Sequence, residues 1–185
     1  MTTPFPPVPR GTVVSPRMVR VSGDLVSTLG GPTQRITRVG SRYAADVELP
    51  TLDAACAGRW LGAVLSAEAH GDTLALVMPQ MLDVSTVGAV TGIGAAGAAE
   101  ITFAGLELAA GMWFSFTANG RNYLHMITAV LTTTTASVAP QLRAPMSATA
   151  LEIQQPKLEG YCDDAAWSLE WFKFVGHSFT ITESA

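Results

Sequence analysis

Gly92-Ile93-Gly94-Ala95-Ala96-Gly97 matches G-x-G-x-x-G, the spacing with which a strand-to-helix turn brings its backbone up to a pyrophosphate. That chemistry needs an apolar strand running into the first glycine and a helix opening at the third. Neither is expected. After Gly97, Ile101 and Phe103 alternate with Glu100, Thr102 and Ala104, the period of two that belongs to strands. A polar stretch containing Pro79 precedes the motif. The segment therefore reads as a flexible Gly/Ala connection between strands, and no cofactor is expected.

Other reactive side chains form no stronger set. Ser66, His70 and Asp72 lie close in sequence, but they run off the end of a predicted helix, where a histidine commonly meets free carbonyls. Nearness along the chain does not make a catalytic triad. His125 and His177 stand alone on predicted strands. Asp163-Asp164 lacks the ladder of a calcium loop and reads as a loop carboxylate pair. Cys56 and Cys162 are too far apart for a metal-ligand pair and read as free thiols. No catalytic residue and no metal site is expected. Trp113, Phe114, Phe116, Tyr123, Trp167, Trp171 and Phe172 resemble a sugar-stacking platform only if exposed; at alternating strand positions they are expected in the core.

The elements that must carry these residues are mostly strands. Residues 1–10 hold four prolines and read as an extended arm ahead of a single domain spanning 11–185. Apolar–polar alternation predicts strands in TVVSPRMVRVSG, TQRITRVG and RYAADVELP, and again in TLALVMP, TTTTASVAPQL and AAWSLEWFKFVGHSFTITE. Asn119-Gly120 between two β-rich runs predicts a tight hairpin, because both residues tolerate positive φ. One helix is expected at about residues 52–69: Leu52, Cys56, Trp60, Ala63, Val64 and Ala67 recur at steps of three and four, Thr51 or Asp53 can cap it, and Gly71 can stop it. Gly58 and Gly62 suggest close packing on that helix. The fold class expected is mainly β, a β-sandwich or open barrel of antiparallel strands with one α-helix.

Charged residues make up only 14% of the 185, against about a quarter in ordinary soluble domains. A surface so poor in charge is expected to be covered by partners. Residues 1–45 carry a balance of +5, from Arg10, Arg17, Arg20, Arg35, Arg38 and Arg42 against Asp24; the remainder carries −9. Arg17, Arg20, Arg35, Arg38 and Arg42 are the expected subunit-interface residues, facing an acidic patch of an identical neighbour. They are neither clustered nor interleaved with aromatics, so sequence-specific nucleic-acid binding is not expected. No apolar run of membrane-spanning length occurs, and a proline-rich start is unlike a signal peptide, so a cytosolic origin is expected.

Over residues 45–183 the order of motifs resembles distal tail proteins, which form the tail-tip ring of long-tailed bacteriophages. It runs from a strand ending Leu49-Pro50, through a helix bearing Trp60, a strand ending in Pro79 and a Gly-rich connection, to Gly111-Met112-x-Phe114 with a Tyr123-Leu124 return. Pro140-x-Leu142-Arg143 and a closing Phe179-x-Ile181-x-Glu183 complete it. Met112 stands where the pattern often has aspartate. The resemblance implies a non-enzymatic virion subunit in a hexameric ring around the tail channel. Its partners would be itself, the tail-tube and tail-hub proteins and the tape-measure protein, with assembly in the bacterial host cytoplasm. The competing expectation is a monomeric or dimeric ligand-binding β-domain, for instance one that binds sugar.

Overall fold

The computed structural model describes residues 2–26, 30–32, 34–37, 40–105, 108–170 and 173–184. In chain order these form β1 (Thr2–Pro4), β2 (Val13–Val19), β3 (Ser22–Leu25), β4 (Gln34–Thr37), β5 (Arg42–Leu49), α1 (Ala54–His70), β6 (Thr73–Val77), β7 (Val90–Gly94) and β8 (Glu100–Ala104). There follow β9 (Trp113–Ala118), β10 (Arg121–Thr132), β11 (Thr135–Ala139), β12 (Met146–Leu151), β13 (Lys157–Glu170) and β14 (Lys173–Glu183). The chain is mainly β with one helix, as its alternation predicts.

The strands make two six-stranded sheets and a separate hairpin, β3–β4. The first sheet has the order β1-β6-β13-β14-β5-β2 and carries α1 on one face; its pairings are antiparallel apart from β1 alongside β6. The second has the order β12-β7-β8-β11-β10-β9. Ser115 and Glu152 exchange backbone hydrogen bonds of 2.9 and 2.8 Å, so β9 meets the end of β12 and this sheet closes toward a barrel. Closure leaves few free edges.

The helix follows its apolar stripe. Asp53 caps it by accepting from the Cys56 N–H at 2.8 Å, and Gly71 ends it at φ 65°, where a side chain would be strained. Ala57, Trp60, Val64 and Ala67 are buried against the first sheet. In the arm, Phe5 stacks on Trp60 and Phe179 at centroid distances of 4.9 and 5.6 Å. Gly58 and Gly62 are exposed and a Cβ on either would meet nothing within 4 Å, so among the described residues nothing packs closely against them.

Two further sequence expectations are corrected. The glycine motif is not a loop throughout: Val90–Gly94 is strand β7, paired with β8 and β12. Only residues 95–99 turn. No helix follows, and the glycines serve packing. A Cβ on Gly94 would stand 2.5 Å from the Leu142 Cδ1, and one on Gly92 3.0 Å from Leu151. Likewise Asp163 and Asp164 lie within strand β13, at a bulge where Asp164 has φ 54°, rather than in a loop. Strands β1, β7 and β12 and the first half of β13 carry alternation too short or too interrupted by Gly, Ala and Pro to be read from sequence.

The β9–β10 hairpin turns on Asn119 and Gly120, with φ 51° and 74°. Replacing both by valine should lower the urea midpoint with the slope retained, since a β-branched residue is penalised at positive φ. Gly94→Ala should also destabilise, by about 1–3 kcal/mol, because Leu142 is fully buried and must move; equilibrium urea unfolding reads both.

Candidate functional site

Over Arg121–His125, strand β10 pairs with β9 on one side only, and β11 joins from Met126 onward. The N–H groups of Asn122 and Leu124 therefore point away from the barrel sheet, toward the first sheet. Buried donors without acceptors cost about 1–3 kcal/mol each. Two buried carboxylates from the first sheet supply the acceptors. Glu159 on β13 accepts from the Asn122 N–H at 2.9 Å and from its side-chain Nδ2 at 2.6 Å. Glu183 on β14 accepts from the Leu124 N–H at 2.9 Å and from the Tyr43 N–H at 3.1 Å. Glu159 also accepts from the Thr73 hydroxyl at 3.0 Å.

Arg143, from the connection after β11, completes this seam. Its guanidinium forms an ion pair with Glu183, donates to the Ser184 carbonyl at 2.9 Å and sits 5.0 Å from the Tyr123 ring centroid. The Tyr43 hydroxyl donates to the Ala139 carbonyl at 3.1 Å, and the His125 Nδ1–H donates to the Pro140 carbonyl at 3.0 Å. Gln80 spans the same junction. Its Nε2 donates to the Trp113 and Ile153 carbonyls at 2.6 Å each, and its Oε1 accepts from the Trp113 N–H at 3.0 Å.

The seam's electrostatics are those of a dry interior. Burial pushes the Glu183 carboxyl up to about 6, against the pull of Arg143 and of the Leu124 and Tyr43 N–H groups. Burial, then the Glu183 charge, pushes the Tyr43 hydroxyl upward. His125 is pushed down to about 3 by burial, with the Pro140 carbonyl pulling the other way and Arg143 adding to the fall. At neutral pH the set is therefore carboxylate, guanidinium and neutral imidazole. Glu183 pairs with Arg143 and His125 is held by the Pro140 carbonyl, in a seam almost closed to solvent.

The reactive groups named from sequence do not converge. His70 donates from Nδ1 to the Ser66 carbonyl at 2.7 Å, the helix-end contact its position suggests, rather than to the Ser66 hydroxyl. Cys162 is buried, its thiol pushed up to about 12 by burial and then by Glu68 and Asp163; Cys56 lies on α1. Both are free thiols. Among the described residues no group of three or more His, Cys, Asp or Glu side chains is placed to hold a metal ion, and no helix is long and apolar enough to cross a membrane.

Of the five arginines, the four within the described residues are spread along the N-terminal segment. Arg17 on β2 is exposed and faces Asp46 of its own chain at 3.6 Å. Arg20 is exposed between β2 and β3. Arg42 opens β5 and is partly buried, its Nε without a hydrogen-bond partner among the described residues. Arg35 lies opposite Asp24 in the β3–β4 register, its side chain outside the described residues, as is the whole of Arg38. Of the aromatics, Trp113, Phe114 and Phe116 are core and Tyr123 is partly buried beneath Arg143. Trp167 is 38% exposed, and Trp171 and Phe172 lie outside the described residues. No model of a known protein family matches the chain, and no curated protein matches it.

Glu183→Ala should cost about 3–5 kcal/mol, since it strands a buried arginine and two buried N–H groups; thermal or urea unfolding measures it. The pH dependence has a definite sign. Unfolded, His125 binds a proton below its ordinary 6.5; folded, it refuses one until about 3. Its contribution is complete above pH 6.5 and falls by about 1.4 kcal/mol per pH unit below that. Glu183 runs the opposite way in a narrower window, because its folded carboxyl takes a proton near 6 and its unfolded one near 4.5. His125→Gln should therefore lose less stability than wild type between about pH 7 and pH 4 in urea titrations.

Proposed function

We propose that the chain is a structural subunit of a bacteriophage tail tip, assembling head to tail into a hexameric ring between tail tube and hub, without catalytic activity. The observation that carries this reading is where the motifs of the resemblance lie. Tyr123-Leu124, Pro140-x-Leu142-Arg143 and Phe179-x-Ile181-x-Glu183 are far apart in sequence, yet Arg143 pairs with Glu183 and covers Tyr123 while Leu124 donates to Glu183. Chance matches scattered along a chain have no reason to share one buried seam. Their meeting supports the resemblance as one of fold.

Surface chemistry supports assembly. The basic N-terminal segment exposes apolar side chains, Val13 on β2 at 53% and Val26 just after β3 at 71%, as well as Arg17 and Arg20. Glu68, Asp72, Asp163 and Asp164 line a crevice between the end of α1 and β13, separated from β2 by β14 and β5. Different patches of opposite sign on one chain suit a heterologous contact, the kind that closes into rings. Pro16 interrupts the donors of edge strand β2, so side chains rather than added strands would make the contact. Exposed ion pairs contribute only about 0–1 kcal/mol each, so apolar burial holds such a ring while the charges set orientation and rate.

Light scattering should show an assembled species that persists at raised salt, because screening weakens steering but not apolar burial. Arg20→Glu with Arg38→Glu should raise the concentration needed for assembly and leave the circular dichroism unchanged. A wild-type protein that stays monomeric at every concentration, alone and mixed with tail-tube subunits, overturns the reading.

A further inference from the structure

β1 stands apart from the other strands of its sheet. It holds three residues, pairs in parallel with β6, and lies at one edge of the sheet, while β2, the next strand in the chain, lies at the other. Residues 5–12 therefore form a strap across the four strands between. At its start Phe5, itself partly buried, packs on the buried rings of Trp60 in α1 and Phe179 in β14. Pro6, Pro7 and Pro9 follow, and Pro7, Val8 and Arg10 are exposed. The strap turns just before β2. Thr12 donates its N–H and its hydroxyl to the Pro9 carbonyl at 3.3 and 2.9 Å, and Gly11 takes φ 90° beside Pro50.

The arm is thus held to the body by a three-residue edge pairing and one aromatic ring, and neither contact involves the residues that join it to β2. Parallel pairing is the weaker kind of ladder, and prolines keep the strap extended whether or not it is docked. An arm that lifts away uncovers two surfaces together: the Thr73–Ala75 edge of β6, with open backbone groups, and the apolar cleft between Trp60 and Phe179, whose ring centroids are 6.2 Å apart. These surfaces accept an extended segment with an aromatic residue directly after the paired strand. Thr2–Phe5 of this chain is such a segment, and every copy carries both the segment and its receptor, so exchange between copies repeats the same contacts. The strap itself favours exchange. Its turn at Pro9–Thr12 is what carries it back across its own sheet; opened there, it follows the straight polyproline path, and a short constrained hinge of this kind invites swapping. We propose that in the assembled protein Thr2–Phe5 of each copy docks on the β6 edge and the Trp60–Phe179 cleft of the next copy. The proposal rests on the reading that copies assemble, and it gives that assembly main-chain hydrogen bonds and aromatic burial, which exposed arginines do not supply.

Mixing two variants tests this. Pro4 and Ala75 are register partners, so full-length Pro4→Cys and Ala75→Cys chains, both carrying Cys56→Ser, are assembled together and treated with a short bismaleimide. Covalent dimers should form in the mixture and in neither variant alone, and a chain carrying both substitutions should give a ladder of multimers. Phe5→Ala should raise the concentration needed for assembly by about tenfold or more, with the circular dichroism of the monomer unchanged. If Pro4→Cys disturbs the fold, Thr2→Cys with Thr73→Cys, another register pair, replaces it. A mixture without dimers, beside a doubly substituted chain linked only within itself, overturns the proposal. Light scattering on the same samples separates the two readings. Assembly with linkage only within chains removes the exchange and leaves the ring; linked dimers without larger species remove the ring and leave the exchange; a protein monomeric at every concentration removes both.

Discussion

The junction between the two sheets depends on carboxylates placed where a strand has no strand beside it. β10 leaves the N–H groups of Asn122 and Leu124 facing another sheet, and a backbone in that position must find acceptors or open to water. Glu159 and Glu183 provide them. A carboxylate accepts several hydrogen bonds at once, so Glu183 also serves Tyr43 and Arg143 and ties β5, β10, β14 and the connection after β11 to a single side chain. Desolvating the carboxylate is costly, as its raised titration range records; three donors around two oxygens offset that cost. The return is specificity of docking: an apolar seam would tolerate sliding between the sheets, and this one fixes their register.

The seam gathers an imidazole, a guanidinium and two carboxylates in the interior, where Glu183 pairs with Arg143 and His125 donates to the Pro140 carbonyl. The surface, in contrast, is sparsely charged and carries exposed valines, a guarded edge strand and a partly uncovered tryptophan. These are features for contact with another molecule, and the proposal of ring assembly rests on them.

Much of the fold was legible because its cause is local. The helix announced itself by its 3.6-residue stripe, with Asp53 and Gly71 as caps, and Asn119-Gly120 marked its hairpin by tolerance of positive φ. Glu183 offered a fainter signal: it stands in phase with Phe179 and Ile181, which puts it on the buried face of its strand. Arg143 and Glu159 offered none, since a paired interior charge and a solvated one look alike in sequence. Strand β7 escaped because its glycines read as a loop; their purpose, room for Leu142 and Leu151, comes from segments some fifty residues away.

By itself, then, the sequence determined the mainly β class, the single long helix with its ends, the tight hairpin and the scarcity of charge, each set by neighbours within a few residues or by composition alone. Tertiary structure decided which charges are buried, how the two sheets are joined, that the second closes on itself through Ser115 and Glu152, and that Trp167 remains partly in water while Trp60 and Trp113 do not. The physical reason is range. Alternation, helical period and turn chemistry act over two to four residues, whereas the enclosure of Glu183 depends on Tyr43, Leu124 and Arg143, which only the folded chain brings within hydrogen-bonding distance.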